Sequence, residues 1–93
     1  MKNQRYTSVW DAIEDTPEET ENMKLRSALM MALKDHIVRA DLSQAQAAKL
    51  FRVTQPRVSD LMRGKINLFA IDTLVNMAAA AGMHVGMRVR KAA

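Results

Sequence analysis

Gln55, Arg57, Ser59, Asp60 and Arg63 surround the apolar residues Val58, Leu61 and Met62 at helical spacing. On a helix the three apolar residues share one side, and the polar ones point outward. An amide, a hydroxyl, a carboxylate and two guanidinium groups are the chemistry that reads base edges and holds phosphates. Gln55 suits bidentate pairing with adenine. Arg57 and Arg63 suit guanine or phosphate equally, and Ser59 suits phosphate. Asp60 either accepts from a cytosine amine or orients a neighbouring arginine. Taken singly, each would look the same on an ordinary solvated helix face, so the surrounding frame has to decide.

That frame is the run of 24 residues from 42 to 65, LSQAQAAKLFRVTQPRVSDLMRGK. Ser43 and Gln46 have the spacing of a capping box, in which hydroxyl and amide side chains satisfy two free backbone donors. Ala47, Ala48, Leu50 and Phe51 then give a short helix its buried side. The chain turns at Arg52 and Val53, and Thr54 offers a second N-cap hydroxyl. Pro56 falls in the first turn of the next helix, where its missing N–H has no intrahelical partner to lose. Gly64 suits a left-handed helix stop. Two starts, one tight turn and one stop thus fall at the spacing of a DNA-reading helix-turn-helix.

On these residues the segment resembles the lambda-repressor/Cro (XRE) family of helix-turn-helix proteins. The resemblance places Gln44 at the first motif position and Ala48 at the helix crossing. It makes Val58 and Leu61 the anchors of the recognition helix. It also implies phosphate-clamping roles for Gln44 and, after Gly64, for Lys65 and Asn67. The candidate DNA-contact set is therefore Gln44, Thr54, Gln55, Pro56, Arg57, Ser59, Asp60, Arg63, Lys65 and Asn67. One departure stands out. The family often has Gly at the turn, and Arg52 stands there instead, where a left-handed conformation costs a side chain about 1 kcal/mol or more. A differently shaped turn is therefore an open alternative.

Composition agrees with one small helical domain. The 93 residues are 48% hydrophobic, with eight methionines but only three glycines, two prolines and 4% aromatics. No cysteine is present, which removes disulfides and thiolate metal sites. No long apolar run or signal-peptide pattern is visible, so the chain is expected in the cytoplasm and off the membrane. Net charge is +4, but it is unevenly spread. Lys2 and Arg5 against Asp11, Glu14, Asp15, Glu18, Glu19 and Glu21 leave residues 1–21 at −4, so the remainder carries +8. A basic body suits a polyanion, and an acidic leading segment does not. The same acids also suit a helix N-terminus and its dipole.

Further elements flank the motif. Val9, Trp10 and Ile13 form the apolar side of a possible helical turn. Thr16-Pro17-Glu18-Glu19 predicts the start of a helix of about twenty residues, with Leu25, Leu29, Met30, Ala32, Leu33 and Ile37 inward and an end at 39–41. A further helix is predicted over 69–81, with Ile71, Leu74, Val75 and Ala78 inward. Beyond it, Val85, Met87 and Val89 alternate with His84, Arg88 and Arg90, the period of a strand. A lone strand leaves unpaired donors and acceptors, which a second copy could satisfy, so these three residues are the predicted dimer contacts.

Catalysis finds no support. His36 and His84 lie far apart without a ligand set, His36 reading as a helix residue, and no phosphate loop or nucleophile motif occurs. No cofactor or metal is expected. The predicted fold is all-α, about five lambda-repressor-like helices with a short carboxy-terminal β-strand. Residues 1–15 form an amino-terminal extension, 16–83 the helix-turn-helix domain and 84–93 the strand or tail. The resemblance implies a homodimeric, sequence-specific repressor of transcription bound to double-stranded DNA. Size, extension and domain also resemble HigA-type antitoxins, which cap a RelE/HigB-like toxin and repress their own operon. That alternative implies a small basic toxin bound at Val9, Trp10 and Ile13.

Overall fold

A computed structural model describes residues 16–91. Among them are four α-helices and one 3-10 turn. These are α1 (Pro17–Arg39), α2 (Gln44–Phe51), α3 (Gln55–Met62), η1 (Ile66–Leu68) and α4 (Ile71–Ala80). Each of the first three helices starts on a hydroxyl. Thr16 Oγ1 accepts from the Glu19 amide at 3.1 Å, with Pro17 opening the helix behind it. Ser43 and Gln46 form both bonds of the predicted capping box, at 3.1 and 2.8 Å. Thr54 Oγ1 accepts from the Arg57 amide at 3.3 Å. Such caps are worth about 1 kcal/mol each, so three short sequence signals fix three helix starts.

All four helices stop in the same way. A left-handed residue follows the last turn: Asp41 (φ 53°), Arg52 (φ 60°), Gly64 (φ 72°) and Gly82 (φ 80°). The next residue then returns its amide to a carbonyl five positions back, as in Leu42 to Ile37, Val53 to Ala48, Lys65 to Asp60 and Met83 to Ala78, all at 2.9–3.1 Å. This is the Schellman arrangement, and it normally tucks an apolar residue under the helix end. Leu42, Val53 and Met83 do so against the core, whereas the fourth position holds the exposed Lys65. The turn at Arg52 therefore keeps the left-handed shape a glycine would give it, and the differently shaped turn is set aside.

The core joins all four helices. Met30, Leu33 and Ile37 of α1 meet Leu74, Met77 and Ala78 of α4, and Ala47, Ala48 and Phe51 of α2 meet Val58 and Leu61 of α3. Phe69, between η1 and α4, is fully buried among them. The His36 ring stands beside Phe51, 6.4 Å between centroids.

Three expectations need correction. The last helix begins at Ile71 rather than 69, because Phe69 is extended (φ −125°, ψ 116°) and drives its ring into the core. Leu25 and Ala32 of the predicted α1 stripe are exposed. The strand at 84–90 is not formed: residues 83–91 carry neither helix nor strand. A ladder needs a second strand, and the described residues contain none. Exposure rises along the segment from Val85 (43%) to Met87 (77%) and Val89 (85%), so it starts against the body and leaves it. The predicted turn at residues 8–13 lies outside the described residues.

Candidate nucleic-acid interface

The candidate interface comprises α2, the Arg52 turn, α3 and η1. Val58 and Leu61 have no exposed surface and pin α3 to the core. The opposite side of α3 is then bound to face solvent. Helical geometry groups Pro56, Ser59, Asp60 and Arg63 on that side, with Gln55 at its leading edge. Gln44, Thr54, Gln55, Pro56, Arg63, Lys65 and Asn67 are exposed, while Arg57, Ser59 and Asp60 are half-buried. All ten candidates thus lie along the two motif helices, the turn and the exit of α3, but Arg57 does not share the outward face.

Arg57 leaves the outward face. Its Nη1 donates to the Leu68 carbonyl at 3.0 Å, and its guanidinium lies 5.3 Å over the Phe69 ring. Cation and ring attract through the ring quadrupole, and the carbonyl bond fixes the tilt. Asp60 points towards Lys65 at 3.9 Å rather than towards an arginine. At that distance, with the lysine side chain 44% exposed, the pair contributes little and leaves Lys65 free to take another anion. Arg26 was not singled out by sequence reasoning. From α1 it donates through Nη1 to the Ile66 carbonyl at 3.2 Å, forty residues away. No sequence signal links a helix arginine to so distant a carbonyl.

Val85, Met87 and Val89 lie on the departing segment. Val85 and Met87 border an open apolar groove of about 550 Å³ with Leu25, Leu29, Ile71 and Val75. Val9, Trp10 and Ile13, on which the toxin-binding alternative rests, lie outside the described residues. No helix among the described residues is long and apolar enough to cross a membrane.

Known proteins give this geometry a context. The model of a helix-turn-helix domain family matches residues 12–90. A solved structure of a "Putative XRE Family Transcriptional Regulator" is similar with a TM-score of 0.72. The two are 34% identical over 80% of this chain and 83% of that one. No curated protein matches the chain.

Proposed function

The chain belongs to the XRE-type helix-turn-helix family, and from that premise we propose that it is a sequence-specific DNA-binding regulator of transcription that acts as a homodimer. The observation that carries the reading is the outer face of α3 together with its exit. Gln55 and Arg63 stand clear of the body at the two ends of a helix whose anchors Val58 and Leu61 are fully buried, with half-buried Ser59 and Asp60 between them. At the helix end, where the other three stops bury an apolar residue, Lys65 is exposed. An apolar residue there would add to the core, whereas a lysine supplies a cation at the rim of the recognition helix.

In this reading residues 16–83 form the DNA-binding unit, α3 enters the major groove, and Gln44, Lys65 and Asn67 hold phosphates on either side. Repression follows where the bound site overlaps a promoter, and the work is done in the cytoplasm without a cofactor. Selection of randomised duplexes by the full-length protein tests it. A pseudo-palindrome with half-sites about 10 base pairs apart is expected. Enrichment of no motif would refute the sequence-specific reading.

The second copy is assigned to the groove beside α1 and α4. Half-exposed Leu25 and Val85 line it, and the segment 83–91, in neither helix nor strand, leaves from its rim. Two such segments can pair edge to edge, as a two-fold axis requires. Removing residues 84–93 is expected to yield monomer in sedimentation and to weaken binding to paired half-sites by about a hundredfold through lost avidity. A truncated protein that stays dimeric would move the interface to the helices.

A further inference from the structure

The turn η1 connects α3 to the core and carries two of the candidate phosphate contacts, Lys65 at its entrance and Asn67 at its centre. A single 3-10 turn is marginal by itself, because its hydrogen bonds are few and poorly aligned. No side chain caps this one. Two arginines hold it instead, from different helices. Arg26 of α1 donates to the Ile66 carbonyl at one end, and Arg57 of α3 donates to the Leu68 carbonyl at the other. The stack on Phe69 ties the Arg57 end to a ring that is itself fully buried.

We propose that Arg26 and Arg57 are positioning residues for DNA binding. They clamp the two ends of η1 so that Lys65 and Asn67 meet the phosphate backbone, and Arg57 itself reads no base. This rests on the regulator reading and sharpens it, because it takes one arginine out of the base-reading set and adds a residue outside the motif. Charged donors on backbone carbonyls are the stronger class of hydrogen bond, and a planar guanidinium loses less freedom in making them than a lysine does. Among the described residues the buried Arg26 Nε has no hydrogen-bond partner. Replacing Arg26 by Met therefore removes the bond to Ile66 and also removes that unpaired donor.

The test uses the full-length protein with Arg57→Met and Arg26→Met, each in the natural sequence and in a Lys65→Ala/Asn67→Ala background. Methionine keeps apolar bulk near Phe69 and carries no donor. Amide exchange is read first, without DNA. Residues 65–69 are expected to exchange about tenfold faster in either variant, while the α3 core amides keep their protection. Unchanged exchange in the turn would overturn the clamp whatever the protein binds. Affinity is read next on a duplex selected by the unaltered protein. Arg57→Met is expected to weaken matched and mismatched duplexes alike by about tenfold, a loss of the size that a charged hydrogen bond carries. In the Lys65→Ala/Asn67→Ala background that loss should shrink to about twofold or less, since the arginine acts through those residues. A full loss retained in that background, or a changed preference at one base, would make Arg57 a direct contact and overturn the proposal. Failure of the unaltered protein to select any duplex would count against the regulator reading alone, and the exchange result would still decide the clamp.

Discussion

Raising salt from about 50 to about 200 mM is expected to weaken binding to a selected duplex by about three orders of magnitude. The expectation starts from charge. Residues 22–93 carry +8 while residues 1–21 carry −4, so the body and not its leading segment faces the polyanion. If each copy makes about three phosphate contacts, a dimer makes about six, and the slope of log affinity on log salt is then about −5. Arg63 and Lys65 are exposed at the end of α3 and stand where such contacts are needed. Fluorescence anisotropy across a salt series gives the slope directly. A slope shallower than about −2 would mean that few counterions are released, and the proposed face would not be the one that meets DNA.

Replacing Phe69 by Ala is expected to cost about 3–5 kcal/mol of folding stability, enough to unfold much of a small domain. The ring is fully buried in contact with the packed core, yet the residue sits in an extended connection, where truncation leaves a cavity that helices cannot easily close. The same ring carries the Arg57 guanidinium. Any folded remainder should therefore bind DNA more weakly than its folded fraction alone explains. Urea unfolding checks the first part, with a lower midpoint and an unchanged slope as the expected signature. A loss below about 1 kcal/mol would show that the ring is not packed as described.

Three of the four helix starts were legible because each is written in local chemistry, whereas Ala70 before α4 offers no capping side chain. Thr16 with Pro17 and Glu19, Ser43 with Gln46, and Thr54 with Pro56 all cap as their spacing requires. Gly64 and Gly82 marked their stops for the same reason. Asp41 was not legible as a left-handed residue, since nothing in its type demands that conformation. In α1 the residues Leu25, Leu29, Leu33 and Ile37 recur every four positions. Four residues turn a helix about 40° too far, so such a stripe drifts by about 120° over its length. Ile37 and Leu33 therefore reach the core, Leu29 lies at its margin and Leu25 is exposed. The alternation of Val85, Met87 and Val89 predicts a strand, yet none forms among the described residues, because a strand needs a second edge to pair with. On the candidate interface, burial of Val58 and Leu61 and exposure of Gln55 and Arg63 followed from helical spacing. The direction of Arg57 did not, since a long side chain can choose between solvent and a carbonyl eleven residues on.

Selection of randomised duplexes by Gln55→Ala, beside the unaltered protein, tests the central claim most directly. Gln55 is exposed at the leading edge of α3 and makes no contribution to the core, so its loss should leave folding intact. The expected result is a motif that keeps its half-site spacing and loses its preference at one base position in each half. Affinity for the original site should fall by about 1–3 kcal/mol, the worth of one bidentate base contact. A motif identical to that of the unaltered protein would contradict the assignment of α3 as the helix that reads DNA.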